Sequence, residues 1–152
     1  MADSHDAQIT SAYFVRDVQS ADRIWAPTTS STPLCGTGNQ VLGLESNLNP
    51  GPAIYVSYVT EMLGTSPALV RNFCTGATRT ASTVSHDLGG TSDAVTNLAC
   101  TPNYPSCGTD AATAPTPSVE IATVQVTVTQ QSGYQYSLTA APRQVGFGGN
   151  GA

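Results

Sequence analysis

The opening 25 residues constrain this chain more than any other stretch, because they form its only helix-type segment and everything after them reads as β. From Asp3 to Trp25 there is no glycine or proline. Small and apolar residues recur at Ala7, Ser11, Phe14, Val18, Ala21 and Trp25. Steps of four and three place these side chains in one stripe along a helix. Asp6, Gln8, Arg16, Asp17, Gln19 and Arg23 fall on the other side. The spacing predicts a helix over 3–25, capped by Asp3 or Ser4 and stopped before Pro27, with Phe14, Val18, Ala21 and Trp25 as its packing face.

After Pro27 the period changes to short alternating runs divided by Gly, Pro, Asn and Ser. Strands are expected at 41–45, 54–61 and 69–73, and, from weaker patterns, at 80–85 and 94–99. The run Ile54–Val59 carries bulk at both parities, as a central strand does. Val124, Val126 and Val128 alternate with Thr123, Gln125 and Thr127, then Gln-Gln-Ser-Gly leads into Tyr134, Tyr136, Leu138 and Ala140. That is a hairpin with one apolar and one polar face. Val119 and Ile121 have the opposite parity, so a bulge near Ala122 is expected.

The resulting expectation is an α+β fold: one amphipathic helix packed on the apolar face of a twisted, mostly antiparallel β-sheet, whose other face is polar and solvated. Residues 1–143 form a single globular domain, β-rich over 40–141, and 144–152 form a flexible tail.

Composition narrows the partners. Charged residues are 10% of the 152, against about 25% in ordinary globular proteins. There is no lysine, and the five cations are Arg16, Arg23, Arg71, Arg79 and Arg143, against ten carboxylates and a net charge of -5. Nucleic-acid binding needs clustered cations to displace counterions, which scattered arginines do not supply.

The cysteines are Cys35, Cys74, Cys100 and Cys107. They lack the paired short spacing of a zinc site, and His5 and His86 have no histidine partner at ligand spacing. In a Thr/Ser-rich, β-rich chain an even cysteine count reads as disulfides in an exported protein. Three pairings are possible; Cys35–Cys74 with Cys100–Cys107 is favoured, the latter closing a short proline-containing loop. No window has the length of a membrane span, and no export signal opens the sequence. Met1-Ala2 therefore reads as the start of a fragment whose native N-terminus has been removed.

Chemistry-bearing residues give no catalytic constellation. Ser85-His86-Asp87 lies outside any nucleophile-elbow pattern, so a solvated histidine is the plainer reading. Asp87, Asp93 and Asp110 lack the regular oxygen spacing of a calcium loop. Tyr55, Tyr58, Tyr104, Tyr134 and Tyr136 could form a sugar-stacking platform, but alternating tyrosines more often pair across strands or fill a core. Arg16 and Arg71 read as surface or structural ion pairs. Neither a metal nor a cofactor is expected, nor an enzyme.

The segment SAYFVRDVQSADRIW resembles the end of the N-terminal helix of minor pilins and pseudopilins, the J- or W-like subunits of type IV pilus and type II secretion systems. Phe14, Asp17, Val18 and Ala21 carry its Phe-x-x-Asp-Val-x-x-Ala pattern. Cys35-Gly36, Val56-Ser57-Tyr58, Leu69 to Cys74 and the closing hairpin are similar to such subunits from high-GC Gram-positive bacteria. The resemblance implies a structural subunit that helps initiate or cap a filament at the cell surface by contacting other minor and major subunits. It implies, too, a membrane anchor before assembly, through an apolar helix upstream of Asp3 in a longer native product. The loop around Cys100–Cys107 and the helix's polar side are its candidate interfaces. DNA or a surface glycan at the filament tip belongs to the same picture, but the acidic charge gives it no support. A secreted β-rich carbohydrate-binding or adhesin module is the alternative; a small secreted hydrolase would need a nucleophile–base pair that cannot be assembled.

Overall fold

The computed structural model describes residues 2–21, 23–25, 33–46, 53–90, 92–101 and 120–141. One helix, α1 (Ala2–Ser20), precedes eight strands: β1 (Arg23–Trp25), β2 (Asn39–Ser46), β3 (Ile54–Leu63), β4 (Ser66–Thr75), β5 (Thr78–Ser85), β6 (Ala94–Thr101), β7 (Glu120–Thr129) and β8 (Gln135–Ala140). They form two antiparallel sheets, one ordered β1-β2-β3-β4-β5 and the other β6-β7-β8.

This overturns the expectation of an α+β helix-on-one-sheet fold. The protein is mostly β-sheet, with one short helix. The physical reason lies in the amount of apolar face to be covered. β2, β3 and β4 offer Leu42, Leu44, Val56, Tyr58 and Leu69, while β7 and β8 offer Val124, Val126, Val128 and Leu138, and all these residues belong to one core. The helix contributes Phe14, Val18 and Ala21, a stripe too narrow to bury either sheet by itself. Among the described residues the valine ladder pairs with β6 and β8 and so makes a second sheet. A side-chain bond from Thr96 Oγ1 to the Val41 carbonyl (2.7 Å) ties that sheet to β2.

The helix also ends earlier than its spacing predicts. Ser20 turns its hydroxyl back to the Arg16 carbonyl (2.9 Å), and the Ala21 amide donates to the Val18 carbonyl (3.2 Å), a tightened last turn. Arg23–Trp25 then pairs with Glu45–Gly43 as an edge strand. Isoleucine and tryptophan suit a strand better than a helix end, and β2 has a free edge to offer them. Trp25 therefore lies on a strand and not on the helix, and its neighbour Ile24 is buried in the core.

β3 is the middle strand of five, and Val56 through Thr60 are buried without interruption. Its outer face is covered where the 33–38 segment crosses it: Gly38 lies against Val59, which forms a small second core with Ala68 and Val70. The solvated outer face expected of a single sheet belongs to β6-β7-β8, where Gln125, Ser137 and Thr139 are exposed. The β7–β8 hairpin closes through residues 130–134. The bulge falls at Ala122: Ala99 faces Thr123 while Cys100 faces Ile121, leaving Ala122 as the extra residue.

The expected tail and most of the 101–117 loop lie outside the described residues, as do Cys107, Tyr104 and Asp110.

Candidate functional site

The site that the separate motifs build is an anchor for α1. Phe14, Asp17, Val18 and Ala21 share one helical face at intervals of three and four, and all four are buried. Phe14 meets the Tyr58 ring edge-on, with centroids 6.0 Å apart. Asp17, a charge among these apolar side chains, is met from the sheet by three donors. Its Oδ2 accepts from the Tyr58 hydroxyl (2.7 Å) and from Arg71 Nε (2.7 Å), and its Oδ1 accepts from Arg71 Nη2 (2.8 Å). The side chains of Arg71 and Asp17 are only 10% and 5% exposed. The guanidinium lies between aromatic faces, 4.8 Å from the Tyr13 centroid and 5.3 Å from that of Phe73.

β-strand parity explains the convergence. Tyr58 of β3 stands directly opposite Arg71 of β4, so both project toward the helix. Burial first, then the Asp17 carboxylate, pushes the Tyr58 hydroxyl well above its ordinary value of 10.0. Burial by itself would lower the Arg71 pKa, but the hydrogen bonds and charge of Asp17 outweigh it and hold Arg71 above its ordinary value. Tyr58 therefore stays a neutral donor, and Arg71 a cation. A buried carboxylate held by three donors from the sheet fixes the helix to it.

A second constellation fastens the opposite face of β4. Cys35 is disulfide-bonded to Cys74, with Cα atoms 6.0 Å apart. The Cys35 amide donates to Ser57 Oγ (3.1 Å), Ser57 donates to Gln40 Oε1 (2.8 Å), and the Leu34 amide donates to the same oxygen (2.9 Å). Gly36 has φ +82°, and the Asn72 amide occupies the space a Cβ would need there. Arg79 in turn donates to Asn72 Oδ1 (2.8 Å). The cysteine-glycine pair thus has a steric reason: only glycine lets the chain cross Asn72.

The remaining candidates are dispersed. Ser85 is buried and bonded to the Tyr136 hydroxyl (2.8 Å) and Gln130 Nε2 (3.4 Å); His86 is exposed and enters this cluster through its backbone carbonyl, which accepts from Gln130 (2.8 Å). Asp87 adopts φ +52° and its carbonyl accepts from the Gln131 amide, while Asp93 folds back over Gly89. Among the described residues no three His, Cys, Asp or Glu side chains converge to hold a metal ion. Tyr58 is in the anchor and Tyr55 has the opposite parity on β3. Tyr134 and Tyr136 form a tilted pair (5.7 Å) at the far hairpin, so the candidate tyrosines among the described residues do not share one platform. Arg16 stays exposed, 5.4 Å from the Tyr13 ring. Of the second cysteine pair, Cys107 and the Cys100 side chain lie outside the described residues.

The sequence reading placed Asp17 on the solvent side of the helix, and the structure buries it. The signal available was distant: Arg71 stands among Leu69, Val70 and Phe73 in the expected strand 69–73. No helix among the described residues is long and apolar enough to cross a membrane. No known family model, curated protein or solved structure matches the chain.

Proposed function

We propose that this chain is the folded, extracellular part of a structural subunit of a type IV pilus-like or type II secretion filament, working through contacts with other minor and major subunits. The observation that supports the reading is the convergence of its motifs. Phe14, Asp17, Val18 and Ala21 of the helix motif, Tyr58 of Val-Ser-Tyr and Arg71 of Leu-Val-Arg meet in one anchor. Cys35-Gly36 and Cys74 meet in the disulfide on the other side of β4. These residues serve attachment of a helix to a β-body, which is what a subunit held in an assembly by its N-terminal helix requires. In this reading the subunit is membrane-anchored before assembly, works at the cell surface, and performs no chemistry.

The test is deletion of the gene in the producing organism, followed by electron microscopy of surface filaments and an assay of filament-dependent protein export. The proposal expects loss of one or the other, restored by the full-length gene. Normal filaments and export, with the purified domain binding sugars on a glycan array, would instead favour the secreted binding module, for which the exposed Tyr134 beside Tyr136 is the available surface.

A further inference from the structure

We infer that the Cys35–Cys74 disulfide is a reducible latch: exchange with a dithiol frees the strap of residues 33–38, which lifts from the outer face of β3 and β4 while the β-body stays folded. The inference rests on the surroundings of this bond and not on the filament reading.

The strap is a layer of its own. None of residues 33–38 belongs to the main core or to the small outer one. Thr37 and Gly38 are exposed, Pro33, Leu34 and Gly36 are half-buried, and Cys35 is buried. The strap meets the body through Gly38 against Val59, Gly36 against Asn72 and Leu34 over Gly43. Two amide bonds add to these, from Leu34 to Gln40 Oε1 and from Cys35 to Ser57 Oγ. Gly36 and Gly38 both have positive φ, +82° and +110°, so the stretch around Thr37 can change direction at little cost.

The closed position has an unfavourable element. It seals the Asn72 side chain, 1% exposed, and Nδ2 of that amide has no acceptor among the described residues. Arg79 Nη1 donates to the Asn72 Oδ1 atom, which fixes the amide this way round. A bond that water can replace contributes less than an orphaned buried donor costs, so the two amide bonds and the one orphan offset each other. The cover given to Val59 is then set against the backbone entropy of six ordered residues, and the entropy is the larger. What holds the strap down is the covalent link from Cys35 to Cys74.

That link is open to exchange. Cys74 is half-buried near the end of β4, whereas Cys35 is 4% exposed, so an incoming thiolate meets Cys74. Arg79 stands directly opposite Cys74 across the β4–β5 pair, a cation on the same face to draw the thiolate in. One thiolate of the dithiol attacks Cys74 Sγ; a mixed disulfide forms, the bond to Cys35 Sγ breaks, and Cys35 leaves with the electron pair and takes up a proton. The second thiol of the reductant closes on the mixed disulfide and releases Cys74. The dithiol is oxidised by two electrons, and its two protons end on Cys35 and Cys74. The oxidised chain covers Ser57, Val59 and Asn72, and the reduced chain presents them to solvent.

The experiment uses the purified chain in native buffer with dithiothreitol as the probe. Alkylation and peptide mass spectrometry follow each cysteine separately, and nuclear magnetic resonance follows amide exchange. The inference expects Cys35 and Cys74 to be reduced while residues 56–59 keep their native resonances. The Leu34 and Cys35 amides are then expected to lose protection about 100-fold relative to those of 56–59, as locally opened amides do. Cys35→Ser/Cys74→Ser without reductant must show the same open strap, which separates this bond from any effect at Cys100 and Cys107. Asn72→Ala removes the orphaned donor, and its reduced form is expected to keep the amides of 34 and 35 about tenfold better protected than reduced wild type. A bond that resists dithiothreitol until β3 unfolds overturns the inference. So do amides of 34 and 35 that stay as protected as in the oxidised chain, and equal loss in Asn72→Ala and wild type. Loss of the β3 resonances together with those of the strap overturns it in favour of a purely structural disulfide. The filament reading stands or falls separately, on the gene deletion.

Discussion

Replacing Arg71 by methionine keeps most of the side chain's volume and removes its charge, leaving Asp17 buried with one donor, the Tyr58 hydroxyl. The wild-type carboxylate has three short bonds, two from the guanidinium, and its side chain is 5% exposed. Breaking one side of a buried pair costs about 3–5 kcal/mol, because the remaining charge is left without compensation. For a chain of this length each kcal/mol is worth about 2–4 °C of melting temperature, so Arg71→Met is expected to lower the midpoint by about 10 °C. Asp17→Leu/Arg71→Met removes both charges but leaves the buried Tyr58 hydroxyl without its acceptor, so it is expected to recover to within about 1–3 kcal/mol of wild type. Urea unfolding followed by circular dichroism measures all four corners of the cycle, compared at constant m. A loss below about 1 kcal/mol in Arg71→Met, or a double variant no better than the sum of the singles, would refute the reasoning. Water would then be reaching Asp17, and the pair would be a surface contact.

Three further expectations follow from the same geometry. Cys35→Ser/Cys74→Ser opens a link between residues 39 apart, and the chain-entropy relation gives a loss of about 4 kcal/mol, measured as the urea midpoint of the variant against the oxidised protein. Gly36→Ala places a methyl group into the Asn72 amide at a positive φ and is expected to cost about 1–3 kcal/mol; Asn72→Ala in the same chain should recover only the steric part, which calorimetry of both variants checks. The raised Tyr58 pKa makes the folded state bind a proton that the unfolded state releases above the ordinary value of 10.0. Its contribution is therefore complete below that pH and is lost as pH rises toward the folded value. Melting temperature should fall more steeply above pH 10 in wild type than in Tyr58→Phe, and equal slopes would contradict the assignment.

How much of this was legible in the sequence depended on whether the cause was local. Strand parity located β3 as a central strand, the valine ladder gave the β7–β8 hairpin, and the parity change at Ile121 gave the bulge at Ala122, all from neighbours within a few residues. The helix stripe identified Phe14, Val18 and Ala21, yet it ran through Ser20 to Trp25 because the absence of Gly and Pro does not register a competing strand edge. Asp17 read as solvent-facing because its partners lie 41 and 54 residues away, and nothing near it in sequence announces them. The division into two sheets was hidden for a related reason. Alternation shows that a strand has an apolar face, but not which other face covers it.

The helix anchor serves a subunit held by its N-terminal helix if force or position along α1 is passed to the β-body without loosening. That requires the last two turns of α1 to be part of the core's own cooperative unit, not an attached arm. Native-state hydrogen exchange of the amides of residues 14–20 tests this most directly. The account predicts that they exchange only with global unfolding, at the same free energy as Val56–Val59 of β3. Exchange of the helix at a free energy well below that of β3 would contradict it.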